Sequence, residues 1–324
     1  MKIVGHYHQR ESLARLVKSK LTPSAFIFAG AEGIGKQLVA KALAKAMIIG
    51  DFSDIYDAKD SEISSESTLF DSGNHPDFHF AECSNKEFNI EALRDLLYRL
   101  HLKSFNAGAR VIILNDANAL STQAANVLLK TLEEPRPDTH FILICSNPSL
   151  LPSTVRSRCQ LWFFDRLKDS DIRHIIDANN IDSDLSIEER SKIADGSMKN
   201  LAELEKHIDE WSSIRDDLDN IFSGDNYQAH KLAERLSKDK EVLKEKLQLI
   251  RLHARDSMLN SHDPVSKNRW ALLLNDIIDS QYLIFQRNFN PTYVLTSILS
   301  SLSDSQDENF NDSLKTPLSE SLLR

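Results

Sequence analysis

The sequence predicts an α/β domain built on a parallel sheet, followed by an all-α region, and three observations predict it. Short apolar runs alternate with helix-patterned segments through the first half of the chain. A glycine-rich turn ending in Gly35-Lys36 joins the first of those runs to a helix. Beyond about residue 166 the strand signal stops while amphipathic helical patterns continue. With 324 residues the chain has material for two or three domains of the usual ~100–200 residues. Its 9 Gly and 9 Pro are scarcer than the roughly 12% combined share of an average chain, in keeping with many helices.

The apolar runs are 25–29 (AFIFA), 78–81 (FHFA), 110–114 (RVIIL), 141–145 (FILIC) and 160–164 (QLWFF). Their continuous apolarity suits strands buried on both faces. Between them, Leu38, Val39, Ala42, Leu43 and Ala46 recur at helical spacing after Lys36, and Ile90, Leu93, Leu97 and Leu100 form one stripe over 90–102. A third helix is expected from an N-cap at Ser121 to Pro135, which cannot continue it. In the second half, 169–178, 186–194, 199–221, 227–237, 239–259, 264–286 and 291–302 read as helices, the last opened by Pro291. Trp162, Trp211 and Trp270 fall on apolar faces and read as core or interface anchors.

The net charge of −9 argues against a protein that holds nucleic acid by bulk positive charge. That charge is local. Residues 51–72 hold seven acids against Lys59, and 303–324 hold five against Lys315 and Arg324, which leaves the remainder neutral. Both acidic segments are expected to be mobile. Cys83, Cys145 and Cys159 are too few and too scattered for a disulfide framework, and no two share metal-ligand spacing. His6, His8, His75 and His79 are neighbours in pairs, but no metal site is expected from them. No stretch approaches ~18 consecutive apolar residues, and the polar N-terminal segment does not read as a signal peptide, so a soluble cytoplasmic protein is expected.

Gly30-Ala31-Glu32-Gly33-Ile34-Gly35-Lys36-Gln37 lies directly between a strand and a helix, the setting of a phosphate-binding loop. Gly30, Gly33 and Gly35 would let backbone N–H groups turn toward a phosphate at a helix N-terminus, and Lys36 would reach the terminal phosphates. Position 37 should then carry a hydroxyl for Mg²⁺ and the end of the 110–114 strand an acid, yet the residues are Gln37 and Asn115, followed by Asp116. The expectation is a degenerate site that binds nucleotide weakly or not at all and hydrolyses little.

At 126–135 the chain reads NVLLKTLEEP, followed by Ser157-Arg158-Cys159. With these it resembles the clamp-loader AAA+ family of bacterial DNA polymerase III. Ile3-Val4-Gly5-His6, Gly73-Asn74-His75-Pro76-Asp77, Asn89 to Arg94, Ser146-Asn147-Pro148 and Gly196-Ser197-Met198-Lys199 add to the likeness, as does Asn288-Phe289-Asn290-Pro291 before an apolar helix. Gln37, Asn115 and a lysine at 199 in place of the family's sensor arginine resemble its delta-prime branch more than its gamma/tau ATPases.

The resemblance implies an α/β RecA-like AAA+ P-loop domain (1–165, with an acidic insert at 51–72), a helical lid (166–205), a helical collar (206–302) and a disordered tail (303–324). It implies a stator with little ATPase activity of its own, partnered by delta and gamma/tau and acting through them on the sliding clamp and primed DNA, with no membrane. Arg158 would be an arginine finger for a neighbour's ATP. Alternatives are an active gamma/tau-type ATPase or a non-replicative AAA+ remodeller. Many relatives carry a four-cysteine zinc module where this chain has 51–72, which holds no cysteine, so no zinc is expected. Glu133 and Glu134, at a helix end without a histidine partner, read as structural.

Overall fold

The computed structural model describes residues 3–56, 64–84, 90–99, 108–136, 138–179, 186–206, 208–240 and 242–303. The chain divides into two compact units, Met1–Lys199 and Asn200–Arg324.

The first unit is built on a parallel five-stranded sheet of order β2-β3-β4-β1-β5. The strands are β1 (Ala25–Ala29), β2 (Phe78–Glu82), β3 (Arg110–Asn115), β4 (Thr139–Cys145) and β5 (Gln160–Phe163). Each apolar run of the sequence is a strand. Burial on both faces holds for β1, β3 and β4, whose central residues are almost wholly inaccessible. It fails at the two edges. Leu161 is 41% and Phe163 62% exposed on β5, and Phe80 of β2 is 38% exposed beneath the ammonium of Lys41. An apolar run reports side-chain character, whereas position in the sheet is set by pairing partners.

The helices of this unit are α1 (Tyr7–Lys18), α2 (Lys36–Ile49), α3 (Ser53–Tyr56), α4 (Ser65–Asp71), α5 (Ile90–Arg99), α6 (Thr122–Glu133), α7 (Ser153–Arg156), α8 (Asp169–Ala178) and α9 (Ile187–Ala194). Capping explains their limits. Ser121 accepts from the Ala124 amide at the start of α6, and Ser186 and Glu189 form a reciprocal capping box on α9. Helix α1 has only a thin apolar stripe. Its Arg10 is 2% exposed and donates to the carbonyls of Ile3 (2.8 Å) and Ile55 (2.5 Å), which ties the N-terminal segment to α3.

The expectation of a mobile 51–72 segment is corrected at both ends, while 57–63 lies outside the described residues. Ile55 and Phe70 are buried, and the Phe70 ring meets Phe78 at 4.5 Å. Lys45 of α2 is itself buried and gathers Asp51, Asp54 and Asp71 at 3.4, 3.5 and 3.2 Å. Burial works against its charge, but the hydrogen bond to Asp71 and the three carboxylates hold its pKa above the ordinary lysine value. Composition marked the acids as part of a mobile segment; three of them have one shared counter-ion.

The second unit packs α11 (Ile208–Phe222), α12 (Asn226–Ser237), α13 (Leu243–Asn260), α14 (Pro264–Phe285) and α15 (Pro291–Ser303) around one core, with α10 (Met198–Glu205) preceding them. The pattern over 199–221 is thus two helices. No Gly or Pro falls between them, so composition carried no signal of the break. Trp270 stacks on Phe222 at 4.8 Å, and Trp211 lies edge-on to His253. Buried Arg269 donates to the carbonyls of Leu302 and Phe222, at the ends of α15 and α11, where a cation suits the negative end of the helix dipole. Trp162, the third tryptophan, is only half-buried, on the edge strand β5. Among the described residues no helix is long and apolar enough to cross a membrane. The tail beyond Ser303 lies outside them.

Candidate phosphate loop and arginine loop

In a parallel sheet the ligand crevice forms beyond the C-terminal strand ends where strand order reverses. Here β1 lies between β4 and β5, and the loop leaving it meets the ends of β3 and β4. A cavity of about 490 Å³ opens there, lined by Glu32, Gly33, Gly35, Lys36, Gln37, Glu82, Asn115, Asp116, Ser146 and Lys199 among others. Of the residues the sequence assigned to a phosphate site, Gly33, Gly35 and Lys36 line this cavity, while Gly30 meets it through its carbonyl, which accepts from Lys36.

Lys36, the first residue of α2, is 6% exposed and donates to the carbonyls of Gly30 (2.7 Å) and Ala31 (2.5 Å). Burial pulls its pKa below the ordinary lysine value. His6 reaches the carbonyl of Ile34 through Nε2 at 2.7 Å, with its ring edge-on to Phe164. Burial lowers its pKa, which favours the neutral ring that donates this bond.

Gly33 has φ +71°, and a Cβ there would stand 2.4–2.5 Å from the Lys199 backbone nitrogen and Cβ and from Ser197 Oγ. Only glycine lets the 197–199 segment lie so close. Met198 N–H donates to Gly33 O (3.0 Å) and Ser197 Oγ to Glu32 O (2.7 Å), while the Lys199 ammonium pairs with the Glu32 carboxylate.

On the metal side, Asn115 ends β3 and its Nδ2 donates to Glu82 Oε2 at 2.8 Å. The β2–β3 register sets Glu82 opposite Asn115. With carboxamides at 37 and 115, one of them committed to Glu82, the residues present do not fit a nucleotide-bound Mg²⁺. Among the described residues no group of three or more His, Cys, Asp or Glu side chains is arranged to hold a metal ion. His75 instead accepts the Asp77 amide through Nδ1.

Sequence reasoning missed Glu32, Glu82 and Asn118. Asn118 Oδ1 accepts from Ser146 N (2.9 Å), Ser146 Oγ (3.0 Å) and Asn147 N (3.2 Å), and its Nδ2 donates to Asn147 O (2.7 Å). It thereby fixes the turn after β4 to the turn after β3. Only the strand register, invisible before folding, marks Glu82.

Arg158 lies apart from the cavity lining, on the loop between α7 and β5. Its side chain is 36% exposed; Nη2 pairs with Glu133 Oε1 at 2.7 Å and Nη1 donates to Thr154 O at 2.9 Å. Glu133, the last residue of α6, places an acid at the negative end of a helix, an unfavourable position that the guanidinium offsets.

Burial pushes the thiols of Cys83, Cys145 and Cys159 up to about 12, 11 and 12. All three are expected to resist an aromatic disulfide reagent at pH 8 and to react on unfolding. Because the unfolded thiols ionise near ~8.5, stability should fall as pH rises through and above that value. Denaturant titrations at pH 7 and pH 10 check this; equal stabilities would contradict it.

Fold and site together define a P-loop protein of the AAA+ kind. The sequence profile described as "DNA polymerase III, delta subunit" matches residues 5–168. The chain belongs to this family, the clamp-loader AAA+ subunits of bacterial DNA polymerase III, and its relatives include both delta' and tau/gamma subunits. DNA polymerase III subunit delta' of Yersinia pestis is 42% identical over 93 residues, 28% of this chain and 27% of that protein. Subunit tau of Salmonella typhimurium is 27% identical over 207 residues, 62% of this chain and 32% of that protein. The chain thus spans about a quarter to a third of the length of these relatives. The crystal structure of a DNA polymerase III gamma subunit-related protein from Thermotoga maritima is 17% identical, with TM-score 0.46, covering 91% of this chain and 99% of that one.

Proposed function

We propose that the chain is a delta-prime-like stator of the DNA polymerase III clamp loader. In this reading it works in the cytoplasm with delta and gamma/tau subunits and gives Arg158 in trans to a neighbour's ATP while the sliding clamp is placed on primed DNA. Residues 1–165 form the AAA+ domain, 166–205 a lid and 206–302 an oligomerising collar, with 303–324 a tail. The chain hydrolyses little ATP itself and needs neither Mg²⁺ nor zinc. One observation carries the reading: the chain keeps a half-exposed arginine in its Ser-Arg-Cys loop while its own pocket has carboxamides at 37 and 115. A guanidinium fork suits the charge that develops on a transferring phosphoryl group.

The test is reconstitution with delta and gamma/tau, measuring clamp- and DNA-stimulated ATPase and clamp loading. Lys36→Ala is expected to leave loading within about twofold of the unmodified loader, and Arg158→Ala to abolish the stimulation. The reverse pattern would assign the working site to this chain. A gamma/tau-type ATPase is the second reading, favoured by the 62% of this chain that aligns with a tau subunit. Steady ATP turnover by the isolated chain would support it.

A further inference from the structure

We propose that Glu32 and Lys199 form an internal counter-ion seal over the phosphate loop, so that the pocket admits a metal-free polyphosphate such as ADP only when the pair parts. This deepens the reading of the pocket as a degenerate nucleotide site and rests on it. A loop that opens a helix favours an anion through its N–H groups and dipole. Glu32 puts a carboxylate of the protein's own into that loop, and the carboxylate takes the Lys199 ammonium as its counter-ion. Two backbone-directed bonds, Met198 N–H to Gly33 O and Ser197 Oγ to Glu32 O, hold the lysine's segment against the loop, and Gly33 supplies the space.

Among the described residues, Lys36 and Lys199 are the cations lining the cavity, and the protein's own oxygens engage both: the Gly30 and Ala31 carbonyls for Lys36, Glu32 for Lys199. A phosphate entering here must displace Glu32 from Lys199 and then face the carboxylate at short range. Like charges at that range repel, and more strongly beside the partly desolvated loop than in open water. The pair itself is half exposed on both sides, 50% for Lys199 and 56% for Glu32, so it is weak enough to open.

The experiment is calorimetric titration of the isolated full chain with ADP in EDTA buffer. Glu32→Gln keeps the size of the side chain and removes its charge; it should bind ADP about tenfold tighter than the unmodified chain. Glu32→Gln with Lys199→Gln should lose that gain, because the ammonium that would meet the phosphate is then gone. The proposal is overturned if Glu32→Gln binds no tighter, or if the double variant keeps the full gain; thermal denaturation establishes that each variant is folded. The titration uses the isolated chain and the stator reading is tested in the assembled loader, so either can fail without the other.

Discussion

If the chain is the stator proposed above, Arg158→Ala in a reconstituted loader is expected to lower hydrolysis at a neighbouring subunit's ATP site by about 10³–10⁵, the range over which arginine fingers act. The basis is electrostatic. A finger contributes through a fixed positive charge beside the phosphoryl oxygens, and the alanine variant removes both charge and fork. Arg158→Lys keeps a charge but presents a point ammonium on a flexible stem, so it should recover only part of the rate. Glu133→Gln is the contrasting variant. An exposed pair is worth roughly 0.2–1 kcal/mol, so releasing the arginine from Glu133 should change the rate by less than about fivefold. Single-turnover hydrolysis reads these effects directly, and gel filtration of the assembled complex separates them from failure to assemble. A wild-type rate in Arg158→Ala would leave the arginine with no role beyond its pairing with Glu133.

Asp77→Ala is expected to destabilise the first unit by about 3–5 kcal/mol, a large share of the roughly 5–15 kcal/mol that holds a domain folded. Arg110 donates through Nε and Nη2 to Asp77 Oδ1, both at 3.2 Å, and the side chains are 7% and 2% exposed. Removing the carboxylate takes away a negative charge and two hydrogen bonds beside a buried guanidinium. The position carries more than charge, since Asp77 N–H donates to His75 Nδ1 and Asp77 O accepts from Val111 N–H. These bonds set the register in which β2 enters the sheet beside β3. Asp77→Leu combined with Arg110→Met should therefore cost less than Asp77→Ala alone, because the buried guanidinium is then gone as well. Urea titrations of Asp77→Ala, Asp77→Leu, Arg110→Met and the double variant test this, and a double variant as unstable as the sum of its two single changes would show that the pair has no coupling.

The Asp77 result also bears on what could be read before folding. The sequence placed Gly73 to Asp77 next to the second strand through resemblance alone; the structure supplies its physical reason in Arg110. All five strands were legible because apolar runs bounded by turns are a strong local signal. The phosphate loop was legible for the same reason, its glycines, lysine and flanking elements being contiguous. Glu82 reaches the cavity through strand register and Asn118 braces its lining residue Ser146 through a tertiary turn, neither of which is visible in the chain order; Lys199 was marked by resemblance alone. Helix α1 hid because only Arg10, Leu13 and Ala14 are buried on it, and the type of the first predicts exposure.

The convergence of Asp51, Asp54 and Asp71 on Lys45 makes one side chain the common fastening of a stretch that the sequence alone reads as loose. Both ends of the acidic stretch are tied to α2 at one ammonium, and Arg10 holds the first of them again through Ile55. Loss of any one aspartate leaves the other two in place, whereas loss of Lys45 removes the counter-ion of all three together and leaves Arg10 as a remaining tie at the first end.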